Sequence, residues 1–190
     1  ELSAWKRRVE NLFSTDNTNP PPGYTSVFVN IAGKVNVSGA ELDASIPLGD
    51  AFTLGGSYTY SKEIARGTTA QIAGRPRETA KLNLSYAPPS SPFGVDLAVK
   101  HVGKVRTTSV TGFGVQQYGD YNVANLSAHL FFDRARRTQL TLRVENAFDK
   151  TYATTVSSAV RAGSVPATRF LYQRLGPPRA AFITLSRRFG

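Results

Sequence analysis

The chain has 190 residues, with 23 Lys and Arg against 13 Asp and Glu for a formal net charge of +10, and it contains neither Cys nor Met. The missing cysteines exclude disulfide frameworks, thiolate chemistry and Cys-based metal sites, and no apolar run approaches the roughly 18 residues that a membrane-spanning helix needs. The basic balance admits nucleic acid, lipid phosphate or an anionic ligand as partner and does not choose among them.

Leu2 to Phe13 reads as a poorly patterned strand, preceded by no basic start and apolar core of the signal-peptide kind. Ser14 to Gly23 is a long connection, after which Val27, Val29 and Ile31 run on odd positions. Ala40, Leu42, Ala44, Ile46 and Leu48 run on even ones, opposite Glu41, Asp43 and Ser45, so a one-residue slip near Ser38-Gly39 suggests a bulge. Beyond Gly49-Asp50, Phe52, Leu54, Tyr58 and Tyr60 oppose Thr53, Ser57 and Thr59. Past the long connection Lys62 to Arg77, Ala80, Leu82, Leu84 and Tyr86 oppose Thr79, Lys81, Asn83 and Ser85.

Pro88 to Pro92 is a short turn, and Phe93, Val95, Leu97 and Val99 then oppose Asp96 and Lys100. The long connection Arg106 to Asp120 leads into Ala124, Leu126, Ala128, Leu130 and Phe132, with Asn122, Asn125, Ser127 and His129 as polar partners. Asp133 to Arg137 is short, and Leu140, Leu142 and Val144 oppose Gln139, Thr141, Arg143 and Glu145. Tyr152 to Pro178 is the longest connection, and the final strand carries Ala181, Ile183, Leu185 and Phe189 opposite Ala180, Thr184, Ser186 and Arg188.

The period-2 alternation recurs in segments near the nine to eleven residues that a tilted strand needs to cross a bilayer. Turns and long loops alternate along the chain, as in a meander with turns on one rim and loops on the other. Phe52, Tyr86, Phe93, Phe132 and Phe189 fall near the turn rim, and Tyr58, Tyr60, Tyr121 and Phe148 near the loop rim, as two interfacial girdles. The fold class is therefore all-β: a transmembrane antiparallel β-barrel meander with about eight strands, apolar outside and polar within.

Catalysis finds no support. His101 and His129 stand on separate strands, and no Gly-x-Ser-x-Gly or His-Glu-x-x-His pattern is present. The spaced glycines of GFGVQQYG precede no helix and so do not make a phosphate cradle. No metal or cofactor is expected, and cations interleaved with a membrane-facing apolar stripe argue against nucleic acid.

The last long loop and its flanks carry Lys150, Arg161, Arg169, Arg174 and Arg179 against Asp149 alone. Such a loop can attract an anionic ligand or grip the phosphates of lipopolysaccharide. Gln116, Tyr118, Arg161, Arg169, Tyr172 and Arg174 are the candidate ligand contacts, supplying the amide, phenol and guanidinium groups that binding loops use.

The segments FVNIAGKVNVSGAELDASIPL, FTLGGSYTYSKE, GRPRETAKLNLSY, LTLRVENAFDKTY and RAAFITLSRRF resemble, in that order, the C-terminal barrel portion of TonB-dependent outer-membrane receptors. Asn30, Gly39 and Glu41 match the family's first motif, Arg75 and Pro76 its second, and Asn146, Phe148, Asp149, Lys150 and Tyr152 its third. Physical reasoning gives Gly39 a place at the bulge, Pro76 one before a strand, and Asn146 to Tyr152 one at a strand exit.

The resemblance spans residues 1–190 and implies part of a barrel of roughly 22 strands, with the plug domain and early strands absent. It implies TonB-energised uptake of a scarce ligand such as a ferric siderophore, haem or cobalamin. Implied partners are outer-membrane lipid, the plug, the TonB energy-coupling complex and the barrel-assembly machinery. Ile183, Leu185 and Phe189 are implied as the signal that this machinery reads. Two other readings stay open: a complete eight-stranded barrel acting as adhesin or anchor, and a soluble β-sandwich binding module.

Overall fold

The structure is a computed structural model that describes residues 1–11, 13–16, 21–24, 27–30, 34–65, 67–164, 166 and 168–189. The described elements are strands: β1 (Leu2–Glu10), β2 (Phe13–Asp16), β3 (Val27–Asn30), β4 (Lys34–Leu48), β5 (Phe52–Ala65), β6 (Glu78–Tyr86), β7 (Phe93–Val110), β8 (Gly114–Phe131), β9 (Thr138–Glu145), β10 (Ala153–Val160), β11 (Arg169–Leu175) and β12 (Ala180–Arg187). Eight of them form one open antiparallel sheet in the order β1-β4-β5-β6-β7-β8-β9-β12. The remaining four form two hairpins outside that sheet: β2-β3, which takes up Val27 and Val29, and β10-β11, carried in the longest connection.

Register turns the alternation of each strand into a continuous surface. Ile46, Leu54, Leu84, Leu97, Leu126, Val144 and Ala181 pair in one row across seven strands. The next row toward the turns is Leu48, Phe52, Tyr86, Val95, Ala128, Leu142 and Ile183. Among the described residues no second sheet covers this face: Leu42, Ile46, Leu82 and Leu126 are 49%, 51%, 52% and 42% exposed. A sandwich would bury such a face about 10 Å from a partner sheet, whereas a barrel wall presents it to lipid. The opposite face pairs Asp43, Ser57, Lys81 and Lys100 in one row, and Ser85, Asp96, Ser127 and Arg143 in another.

The turn rim is as expected, with Phe52 and Tyr86 stacked at 4.7 Å between ring centroids. The loop rim departs from expectation in four places. No bulge interrupts Ser38-Gly39: Gly39 pairs with Trp5 on one side and Ser61 on the other in unbroken register. The change of phase marks a change of surroundings. Toward the loops, the inward Val35 and Val37 are buried while Lys34, Asn36 and Ser38 take the outer positions. Gly39 is small because the Trp5 ring and the Tyr60 carbonyl lie where a Cβ would stand. Ile31, in the same odd-position run, lies outside the described residues.

The stretch from Arg106 to Asp120 is mostly strand rather than loop. β7 and β8 continue to a tight turn at Thr111-Phe113, where Gly112 and Gly114 adopt φ of 84° and 70°. Each strand has 18 residues, about 60 Å of chain, so the outer half of the ribbon stands beyond the bilayer. The β10-β11 hairpin lies against this ribbon, where Val105, Val110 and Val156 are buried.

Tyr121 pairs with Val102 on the polar face and stacks on Tyr152 at 4.2 Å, so it is a lumen residue and not part of the lipid girdle. Asn122 pairs with His101 on the apolar face, their Oδ1 and Nδ1 atoms 2.9 Å apart. Two polar groups tolerate this height beside Tyr58 because each satisfies the other.

Candidate functional site

Toward the turn rim, charges on the polar face are matched by neighbours within the wall. Arg143 Nη2 lies 3.1 Å from Glu145 Oε1, and Asp96 Oδ2 accepts from Ser127 Oγ at 3.3 Å with His129 Nδ1 at 3.8 Å. Such lateral pairing suits a wetted wall that carries no large field of one sign.

The loop rim of the same face differs. Ser61 N donates to the Arg77 carbonyl at 2.7 Å, and Gly74 N donates to the Arg106 carbonyl at 2.8 Å, so the β5-β6 loop folds against the β7-β8 ribbon. Glu63 anchors the loop: its backbone N–H donates to Gln71 Oε1 at 3.0 Å, and its carboxylate accepts from Arg75 Nη1 at 3.0–3.2 Å. Between loop and ribbon opens a cleft of about 620 Å³ lined by Arg75, Arg77, Lys104, Arg106 and Gln117, with Glu78 and Asp120 as its carboxylates. Arg75 is spent on Glu63, and Lys104 reaches Asp120 only at 3.6 Å. Among the described residues, Arg77 and Arg106 have no ion-pair partner.

A second constellation sits at the exit of β9. Asn146, only 3% exposed, adopts φ of 48°. Its Nδ2 donates to the carbonyls of Lys150 at 2.9 Å and Pro177 at 3.0 Å, and its Oδ1 accepts from Lys150 N at 2.8 Å. Asp149 Oδ1 accepts from Arg179 N at 3.0 Å. These two side chains clamp the start and the return of the segment that carries β10 and β11. All four of these side-chain bonds go to backbone groups, which makes the block a structural clasp.

The six candidate ligand contacts do not converge on one point. Gln116 Nε2 donates to the Phe113 carbonyl at 2.7 Å and braces the ribbon's turn, while Tyr118 pairs with Val105. Arg169 passes beside Gly112 at the ribbon tip, on the hairpin face from which Ser158 Oγ donates to the Thr111 carbonyl at 3.2 Å. Tyr172 and Arg174 alternate with Arg169 onto the other face, and Arg161 begins the hairpin's turn. At the chain's end Ile183 pairs with Leu142 and Leu185 with Leu140, at 76% and 67% exposure, and Phe189 extends beyond β12.

Sequence reasoning passed over Arg77, Lys104 and Arg106. A usable signal was present, since cations two apart at 75 and 77, and at 104 and 106, fall on one face of an extended chain.

An open sheet with one apolar face, one polar face, turns on one rim and folded loops on the other defines the wall of an outer-membrane β-barrel. The profile of the TonB dependent receptor-like β-barrel family matches residues 1–147, and the chain belongs to that family. Its strands accordingly cross the outer membrane repeatedly.

Solved structures with the same fold include the pyoverdine outer membrane receptor FpvA from Pseudomonas aeruginosa PAO1, 20% identical with a TM-score of 0.72 over 99% of this chain and 27% of that one. They also include the ferric-catecholate import receptor Fiu from E. coli, 18% identical with a TM-score of 0.69 over 99% and 25%. The siderophore receptor PiuA from Acinetobacter baumannii is 19% identical, with a TM-score of 0.64 over 98% and 26%. The chain thus spans about a quarter of these receptors. Comparison with curated protein sequences gives no match.

Proposed function

We propose that this chain is part of the barrel wall of a receptor that takes up a scarce, anionic small molecule across the outer membrane, energised through TonB. A ferric chelate is the ligand class favoured over haem or cobalamin. The observation that carries the reading is the cleft at the loop rim, where Arg77 and Arg106 face the lumen without ion-pair partners among the described residues. Arg75, Arg77, Lys104 and Arg106 line it against only two carboxylates, Glu78 and Asp120, so what the cleft offers is attraction for an anion. Family membership and the receptors named above support the direction of transport and the class of ligand.

Arg161, Arg169, Tyr172 and Arg174, with Gln116 and Tyr118, fit an outer capture surface through which a ligand passes before it reaches the cleft. Lipopolysaccharide phosphates are the competing partner for the same arginines. The open edges of β1 and β12 fit a wider barrel, because unpaired strand edges are not tolerated in lipid. A plug and a TonB-contacting segment complete such a receptor.

The test is uptake of labelled iron by cells producing the full-length receptor with Arg77→Gln and Arg106→Gln together. Uptake from anionic siderophore complexes should fall and lose its salt dependence, since exposed attraction is screened beyond about 10 Å at 0.1 M salt. Uptake from a neutral chelate should change little. Equal uptake of both complexes by wild type and variant would refute the anionic reading.

Ile183, Leu185 and Phe189 fit a signal for the barrel-assembly machinery. Phe189→Ala in the full-length receptor should then lower its outer-membrane abundance while synthesis continues. Unchanged abundance would leave Phe189 with an interfacial role only.

A further inference from the structure

The turn rim carries charge that the wall does not explain. Arg134, Arg136 and Arg137 occupy the β8-β9 turn, and Arg187 and Arg188 close β12 beside it, all five exposed. Arg188 N donates to the Arg137 carbonyl at 2.9 Å, which sets these two cations directly opposite each other across the ladder. Like charges placed so are destabilising. Asp133, the one carboxylate in the turn, is already engaged: Oδ1 accepts from Arg137 N at 3.0 Å and Oδ2 from Thr138 N at 2.7 Å. No described carboxylate pairs with any of the five guanidiniums.

One of the five is spoken for. Arg136 Nη2 donates to the carbonyls of Pro89 at 3.1 Å and Ser91 at 3.3 Å and so staples neighbouring turns. Arg187 is placed differently. It pairs with Thr138 on the lipid side, next in line after Ile183 and Leu185, with its guanidinium 5.4 Å from the Phe189 ring centre. Two residues of strand put it about 7 Å past Leu185. That sets it level with Phe132, which lies opposite Thr138 in the same row, and between Phe93 and Phe189, within the aromatic girdle that sits at headgroup depth.

We propose that this rim binds the phosphate of an anionic glycerophospholipid in the leaflet on the turn side of the membrane. Arg187 and Arg134 grip the headgroup, and Arg137 and Arg188 add to the field that holds it. Four to eight cations directly beside a membrane span are the pattern that anionic headgroups select, and a guanidinium holds a phosphate through two parallel hydrogen bonds. The bound phosphate also relieves the opposition of Arg137 and Arg188.

The full-length receptor is reconstituted in nanodiscs of equal phosphatidylglycerol and phosphatidylcholine, and the lipids retained on release into detergent are counted by native mass spectrometry. Wild type should retain phosphatidylglycerol preferentially, the more so at low salt. Arg134→Gln with Arg187→Gln should lower that preference about thirtyfold, as expected for two charges at an anionic headgroup layer. The doublet Arg134→Lys with Arg187→Lys keeps the charge and should retain part of the preference, which separates loss of charge from loss of fold. Inorganic phosphate at millimolar concentration should not displace the lipid. Equal retention of both lipids by wild type, an unchanged preference in the Gln variant, or full displacement by free phosphate would each overturn the proposal.

Discussion

Replacing Asn146 tests the clasp that closes the longest loop. Its side chain makes three hydrogen bonds, to Lys150 N, Lys150 O and Pro177 O, at 2.8–3.0 Å in a site where the residue is 3% exposed. At about 1 kcal/mol each, Asn146→Ala loses about 3 kcal/mol, and a φ of 48° adds about 1 kcal/mol for a residue with an ordinary Cβ. Asn146→Gly removes the same bonds without the backbone penalty, so it should be the milder change by about 1 kcal/mol. Asn146→Asp turns a double donor into a carboxylate facing two carbonyls and should be worse than Ala at neutral pH, with the gap closing on acidification. The measurement is urea unfolding of the full-length receptor in lipid, followed by heat-modifiable mobility, with limited proteolysis between Tyr152 and Pro178 as the local readout. An Ala variant within about 0.5 kcal/mol of wild type and no easier to cleave would refute the clasp.

Leu84 stands in the middle of the seven-residue apolar row, so Leu84→Arg should cost roughly 2–4 kcal/mol near the bilayer midplane, whereas its neighbour Asn83→Arg, on the lumen face, should cost far less. Comparable losses in a bilayer-folding titration would show that the faces are assigned wrongly. At the turn rim the backbone N–H groups of Arg137 and Thr138 hold the Asp133 carboxyl below the usual range. A carboxyl with a lowered folded pKa adds stability that is complete above its unfolded value of about 4 and is lost as pH falls through the folded value. Asp133→Asn should therefore be less stable than wild type at neutral pH and converge with it as pH falls below about 4, giving a flatter acid limb; a variant profile that coincides with wild type across the whole range would remove Asp133 as a contributor.

The membrane part of the fold was legible because lipid imposes one rule on every strand. Leu54, Leu84, Leu97 and Leu126 had to face outward wherever the chain crossed, and register then merely joined what alternation had already sorted. The motif block from Asn146 to Tyr152 was legible as a strand exit, although its contacts were not, since Pro177 is thirty-one residues away.

Above the bilayer the rule lapses. The outer positions of β4 become Lys34, Asn36 and Ser38 while Val35 and Val37 turn inward, so the alternation reverses its sense and reads as a slip although the ladder runs on. The same change hides the upper half of the β7-β8 ribbon, where Lys104, Arg106, Gln116 and Gln117 look like loop composition but pair as strand. The cleft lies in this zone because an extended ribbon can hold cations two residues apart on one face at a fixed height, and a folded loop, locked through Glu63, Gln71 and Arg75, can close over them. Neither half makes the cleft alone. Its residues are separated by about thirty positions in sequence and meet only because β6 begins no earlier than Glu78, leaving the edge of β7 above it free for Gly74 N to dock on the Arg106 carbonyl.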